Sequence, residues 1–172
     1  LEIGASAFAY CYISKITLPD GLKTIGYNAF ESNSLTELEI PNTVISIGVG
    51  AINDNNFPEE TAYLFARNSD GSVDYTTLVS YGGKSSKVVT VPSTVKTIKT
   101  HAIERLTYAD TIVIPPSVEV IENNAFQKGT WYNNSLTTIV NQADKSFNWG
   151  NILYNTPSFE FVTGTIVSSY GN

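Results

Sequence analysis

The same short phrase returns every 22 residues in the first part of this chain, which leaves it few folds to choose from. Ile3-Gly4, Ile25-Gly26 and Ile47-Gly48 recur at that interval, as do Ala7-Phe8, Ala29-Phe30 and Ala51-Ile52. Leu18-Pro19 answers Ile40-Pro41, and Leu22 answers Val44. The pattern breaks after Ile52 and returns with Val89, Val91-Pro92, Val95, Ile98 and Ala102-Ile103. One step later come Ile112, Ile114-Pro115, Val118, Ile121 and Ala125-Phe126, then a partial copy from Leu136 with Ile139 in place. The unit reads LxxLxIPxxVxxIGxxAFxxN. A period this long, with a proline in most copies, fits neither coiled-coil heptads nor a membrane span.

Each unit has a physical reading. Leu35 to Ile40 alternates at its end like a half-buried strand, and Pro41 then removes a ladder donor. Val44 and Ile47 belong to a second short extended piece facing inward. Asn28, Ser6 and Asn124 share the slot before the Ala-Phe pair, where a helix N-cap would sit. One unit offers about six core side chains, each contributing roughly 1.5–3 kcal/mol on burial. Ordering its backbone costs about 1–2 kcal/mol per residue, so a unit cannot fold alone. Stacked units shield one another's apolar faces, and their strands then run parallel about 4.8 Å apart. Leu38, Val89, Ile112 and Ile139 should therefore be neighbours along one continuous ribbon. Lys99 and Glu122 stand where Gly4, Gly26 and Gly48 stand, so the register treats that glycine as permitted but not required.

This unit resembles the BspA-type leucine-rich repeat of bacterial surface proteins, through the Leu18-Pro19, Ile40-Pro41, Val91-Pro92 and Ile114-Pro115 steps and the Ala-Phe pairs. The resemblance implies a repeat solenoid: a leucine-rich-repeat right-handed superhelix with a parallel β-sheet, short second strands and short helical turns. It also implies an extracellular or bacterial cell-surface location and a role in adhesion. The expected organisation is repeats over 1–52 (the first truncated), an inserted segment over 53–86, repeats over 87–141 and a capping segment over 142–172. Within the insertion, Tyr63 to Ala66 and Thr77 to Ser80 flank Asn68-Ser69-Asp70-Gly71, the signature of a β-hairpin. The tail aromatics Trp149, Phe159 and Phe161 are expected to close the open end of the core. The mid-repeat start and the lack of any methionine suggest a piece of a longer protein.

Composition narrows the function. The formal charge of -6 argues against a nucleic-acid partner, which wants a basic stripe. No apolar run reaches the roughly 18 residues of a spanning helix, so no membrane insertion is expected. Cys11 is the sole cysteine and His101 the sole histidine, so neither a disulfide within the chain nor a His/Cys metal cluster is available. No cofactor or metal is expected.

Single residues that tempt a catalytic reading have plainer ones. His101 falls in the capping slot, and Cys11 falls where Asn33 sits one unit later. Glu37 and Glu39 share a strand face at a spacing that could mimic a glycosidase pair, but a solvated face explains them, with Lys15 as cross-strand partner of Glu37. Asp70 to Asp74 lacks the alternating ligands of an EF-hand and fits a hairpin turn. Tyr108, Trp131, Tyr132, Trp149 and Tyr154 could stack on sugars, although burial is the commoner fate of such residues. The expected role is a non-catalytic module, monomeric within a larger chain, binding a protein or glycan. Its face would be the outward strand row Lys15/Thr17, Glu37/Glu39, Val88/Thr90, Thr111/Val113 and Thr138/Val140. An architectural spacer is the alternative, and a carbohydrate-active enzyme a remote one.

Overall fold

The computed structural model describes residues 1–84, 86–106, 108–126 and 136–153. The chain is a β-solenoid of stacked coils joined by parallel ladders. One ladder is built from two-residue strands: β1 (Glu2–Ile3), β2 (Thr24–Ile25) and β3 (Ser46–Ile47) pair in parallel and in register. Its continuation holds β4 (Tyr63–Arg67), β5 (Val73–Tyr81), β7 (Thr97–Ile98) and β9 (Val120–Ile121). The second ladder joins β6 (Val88–Thr90), β8 (Thr111–Ile114) and β10 (Thr138–Asn141).

Equivalent side chains stack in columns. Leu22, Val44, Val95 and Val118 are all buried, and Ala29, Ala51, Ala102 and Ala125 are fully so. The alanines leave room for close approach between coils, as the repeat implied. Phe8 lies over Phe30 with parallel rings 5.7 Å apart, the first step of the neighbouring column. Phe8 itself is exposed.

The expected insertion is more than a hairpin hung from the solenoid. β4 and β5 pair antiparallel, with register shifts around Phe65, and Gly71 turns the connection at a φ of 86°. β5 then pairs in parallel with β7, Leu78 against Ile98. The Gly50 amide donates to the Val79 carbonyl. The insertion thus supplies a long coil of the solenoid itself, and its 3₁₀ turn at Glu59–Thr61 leads into β4.

Three expectations need correction. The ribbon through Leu38, Val89, Ile112 and Ile139 is not continuous. Val89, Ile112 and Ile139 are in register, but the stretch holding Leu38 lies outside the ladder. The long coil intervenes there: Asn56 donates to the Leu35 carbonyl and Phe57 bridges to Gly83, where a regular coil would place the next strand. Second, the slot of Ser6, Asn28, His101 and Asn124 is no helix N-cap. These residues and Gly50 have φ between 51° and 71°. Tyr10, Ser32, Asp54 and Arg105, four residues further on, are left-handed as well. Phe8, Phe30 and Ile103 donate their amides to the next coil at Ala29, Ala51 and Ala125, not back along their own chain. The amides between them do turn back three residues, Ala29 to Gly26 and Glu31 to Asn28, so the segment is a run of single turns that alternates internal bonds with bonds to the next coil.

Third, glycine is required at two of its positions. A Cβ on Gly26 would fall 2.5 Å from the Ala5 nitrogen, and one on Gly48 would fall 2.3 Å from the Tyr27 nitrogen. The later coils have space for side chains here, and Lys99 and Glu122 use it to form an ion pair.

Candidate functional site

The outward strand positions are the first candidate. Lys15, Thr17, Glu37, Glu39, Val88 and Thr90 are exposed. Lys15 and Glu37 meet across coils at 3.4 Å, as their register implied, with both side chains largely in solvent. Thr111 and Val113 are half-buried, alternating with the buried Ile112 and Ile114 of β8. Thr138 and Val140 are buried, which corrects the expectation of an outward row along the whole array. Exposure ends at the last coil.

Beside the first part of this row runs a groove of about 1240 Å³. Its walls are Lys15–Asp20 on one coil and Thr36–Asn42 on the next, with Phe57, Pro58 and Thr61 of the long coil at one side. Both alternating sets of side chains reach it, Thr17 and Glu39 from the outer set and Ile16 and Leu38 from the inner. The inner set is only half-buried here, whereas Val89, Ile112 and Ile139 at equivalent places are buried. A smaller groove of about 310 Å³ continues from Leu38, Ile40 and Phe57 toward Tyr63, Phe65 and Arg67 of the hairpin.

A cluster of charged side chains on the left-handed turns is the second candidate. Arg105 Nε lies 2.8 Å from Glu31 Oε1, and the guanidinium sits 5.3 Å over the Tyr10 ring. Its Nη1 donates to Ser32 Oγ, which donates to Asp54, and Asp54 pairs with Lys84 at 3.2 Å. His101 shares a short hydrogen bond with Glu104, and Asn28 donates to Glu31 at the corresponding place. Burial raises the Glu31 pKa against the opposing pull of Arg105. The hydrogen bond to Glu104 raises that of His101, outweighing partial burial. Arg105 thereby ties the coils after the insertion to those before it. Among the described residues, no hydroxyl or thiol hydrogen-bonds the other ring nitrogen of His101, so the pair lacks a nucleophile to activate. The cluster pairs its charges with one another and holds the fold, with the buried Asn28 Oδ1 left without a hydrogen-bond partner among the described residues.

The other candidates resolve locally. Cys11 is exposed, with its thiol toward the Ala9 carbonyl. Asp70 accepts from the amide and hydroxyl of Ser72, and Asp74 does the same for Thr76, so the two serve separate turns rather than one ion. Tyr108 is exposed, and Trp149 meets Phe147 edge to face. Trp149 opens the short helix α1 (Trp149–Ile152). Asn151 and Ile152 accept hydrogen bonds from Asn124 and Phe126, so this segment takes the place of a next coil. Trp131, Tyr132, Tyr154, Phe159 and Phe161 lie outside the described residues.

Sequence reasoning missed two structural asparagines. Asn33 and Asn55 are buried, 22 residues apart. Asn33 accepts from the amides of Cys11 and Ile13 and donates to the carbonyls of Phe8 and Phe30. Asn55 accepts from Leu35 and donates to Phe30 and Ile52. The closing N of the repeat unit was the available signal. What it lacked was the buried turn that only an amide, both donor and acceptor, can serve.

That asparagine ladder, with an apolar column and a strand in each coil, is the mark of a leucine-rich repeat. The family model for the BspA type leucine rich repeat region matches in six copies, over residues 1–132 and 77–155. The chain belongs to the BspA-type leucine-rich repeat family. Among solved structures, this BspA-type chain is similar to a leucine rich cell surface protein from Faecalibacterium prausnitzii A2-165. The TM-score is 0.57 at 25% sequence identity, over 83% of this chain. The match spans 39% of that neighbour's length. None of the curated proteins matches the chain.

Proposed function

We propose that this chain is a non-catalytic binding module of a bacterial cell-surface protein, taking a protein or glycan partner on the outward face of its early and middle coils. One observation carries the reading. Lys15, Thr17, Glu37 and Glu39 are exposed on the walls of a large groove and Val88 and Thr90 are exposed on β6, while the charges of the cluster elsewhere pair with one another. Solenoids present such side rows as extended binding surfaces. The cell-surface neighbour and the surface-associated family support the location.

A spacer needs coil number but no particular surface chemistry, so surface substitutions separate the two readings. Arrays of glycans and purified extracellular-matrix proteins are probed with the wild-type chain, E37K/E39K and V88K/T90K. All of these positions are exposed, so melting temperatures should stay within about 2 °C of wild type. Wild-type binding that at least one pair abolishes is the expected result. Binding that neither pair changes, or no binding at all, refutes the proposed face.

A further inference from the structure

The groove differs from the rest of the solenoid in its backbone as well as its side chains. In β6, β8 and β10 the outward strand is fully laddered to its neighbours. In the first two coils the corresponding stretches, Lys15–Leu18 and Thr36–Ile40, are not. Among the described residues, no amide of either stretch donates a hydrogen bond, and the one carbonyl that accepts is Ile40's, from Arg67 at 3.4 Å. Two neighbouring lengths of backbone thus offer unused donors and acceptors to one groove. Backbone groups in that state are the template for strand addition.

The side chains narrow the occupant further. The inner set at the groove is apolar and half-uncovered, at Ile16, Leu38 and Ile40 beside Phe57. The lining also carries Asp20, Glu37 and Glu39 against one cation, Lys15, which Glu37 already engages. From this juxtaposition we infer that the groove takes an extended peptide segment of another protein by strand addition. That segment alternates apolar and basic residues. Its backbone pairs with Thr36–Ile40 or Lys15–Leu18, its apolar side chains cover Ile16 and Leu38, and its basic ones meet Glu39 and Asp20. Five residues of wall correspond to roughly 17 Å of extended chain, so five or six residues fill the site. The inference deepens the binding reading given above and rests on it for the role of this face.

The probe is an acetylated, amidated hexapeptide of alternating valine and lysine. It is titrated into the isotopically labelled chain and followed by amide shifts and by amide hydrogen exchange. Shifts and slowed exchange should be confined to Lys15–Leu18 and Thr36–Ile40. N-methylating alternate peptide amides should weaken binding at least about tenfold, because strand pairing uses those donors. E37Q/E39Q should weaken it by about threefold to tenfold, and its melting temperature supplies the check on folding. A peptide alternating valine and glutamate should not bind. The inference falls if the valine–lysine peptide gives no shifts at millimolar concentration, or if the methylated or acidic peptide binds as well. It also falls if shifts map to Val88–Val113, or if the groove amides shift with protein concentration alone, which would place a second copy there. Array binding lost in V88K/T90K together with a silent hexapeptide sinks this inference and leaves the broader function standing. Peptide binding at the groove with no array binding does the reverse.

Discussion

Replacing Asn55 by alanine should be among the costliest single changes available to this fold. The side chain is fully buried. Its Oδ1 accepts the Leu35 amide at 3.0 Å, and its Nδ2 donates to the carbonyls of Phe30 and Ile52 at 2.8 and 2.9 Å. Alanine strands the buried Leu35 amide and Ile52 carbonyl at once, while the Phe30 carbonyl keeps its bond from Asn33. An unsatisfied buried group costs about 1–3 kcal/mol, with carbonyls at the lower end because they keep a second lone pair. The total is about 2–4 kcal/mol, which lowers the melting temperature by roughly 5–10 °C for a chain of this size. Asn55→Asp should do no better, since it keeps the acceptor but turns a buried charge toward carbonyl oxygens. Circular-dichroism melts and urea titrations measure both. Cys11 supplies the internal control. It holds the same slot in the first coil but is exposed, so Cys11→Ala should change stability by less than about 0.5 kcal/mol. An N55A protein within about 1 kcal/mol of wild type would show that the ladder is incidental and that apolar columns alone hold the coils.

Gly48→Ala should destabilise by about 1–3 kcal/mol in urea titrations, because the new methyl lands 2.3 Å from the Tyr27 nitrogen and a packed coil must move. A wild-type midpoint would mean that the coils slide apart freely at this slot. Stability should also fall as pH rises. The raised pKa of His101, set by its bond to Glu104, contributes stability in full below the usual value of about 6.5, and that stability is lost as pH climbs through the folded value. Glu31, raised by burial, acts in the same direction at lower pH, since the folded state penalises its ionised form. Melting temperatures across about pH 5.5 to 8.5 should therefore decline, and His101→Gln should flatten the upper part of the curve. A flat wild-type profile refutes the assignment.

Much of the solenoid could be read from the sequence because its strongest signal, hydrophobic spacing, is set by what each coil buries. Leu22, Val44, Val95 and Val118 fell into one buried column as their spacing required. So did the alanines, and Lys15 found Glu37 one coil away. The misses share a cause. Left-handed backbone at Tyr10, Ser32 and Arg105 has no dependable marker, since these residue types sit more often in ordinary conformations. The turn they form looks like a helix start when only Asn28 and Ser6 are considered. Clashes at Gly26 and Gly48 depend on the local distance between coils, which the repeat does not encode, so Lys99 and Glu122 gave a misleading comparison. The burial of Thr138 and Val140 departs from the outward alternation that the repeat implies.

The break in the ladder connects these points to the binding surface. The outward sheet is closed across β6, β8 and β10 but open over the first two coils, where Lys15–Leu18 and Thr36–Ile40 make no ladder. The long coil at 53–86 separates the two regions. It keeps the short ladder going through β5 and β7 but fills the place of the next outward strand with Phe57, Pro58 and a 3₁₀ turn. Pro58 has no amide to give, and the residues after it turn away into the hairpin. The stretch holding Glu37 and Glu39 has no paired neighbour on that side, and its apolar side chains remain half-covered. The same segment, through Arg67 on the Ile40 carbonyl, props the wall of the groove it borders. The irregular coil thus leaves the second stretch without a strand on its far side and supplies one edge of the groove, so shortening it to a regular repeat should narrow the groove while preserving the solenoid.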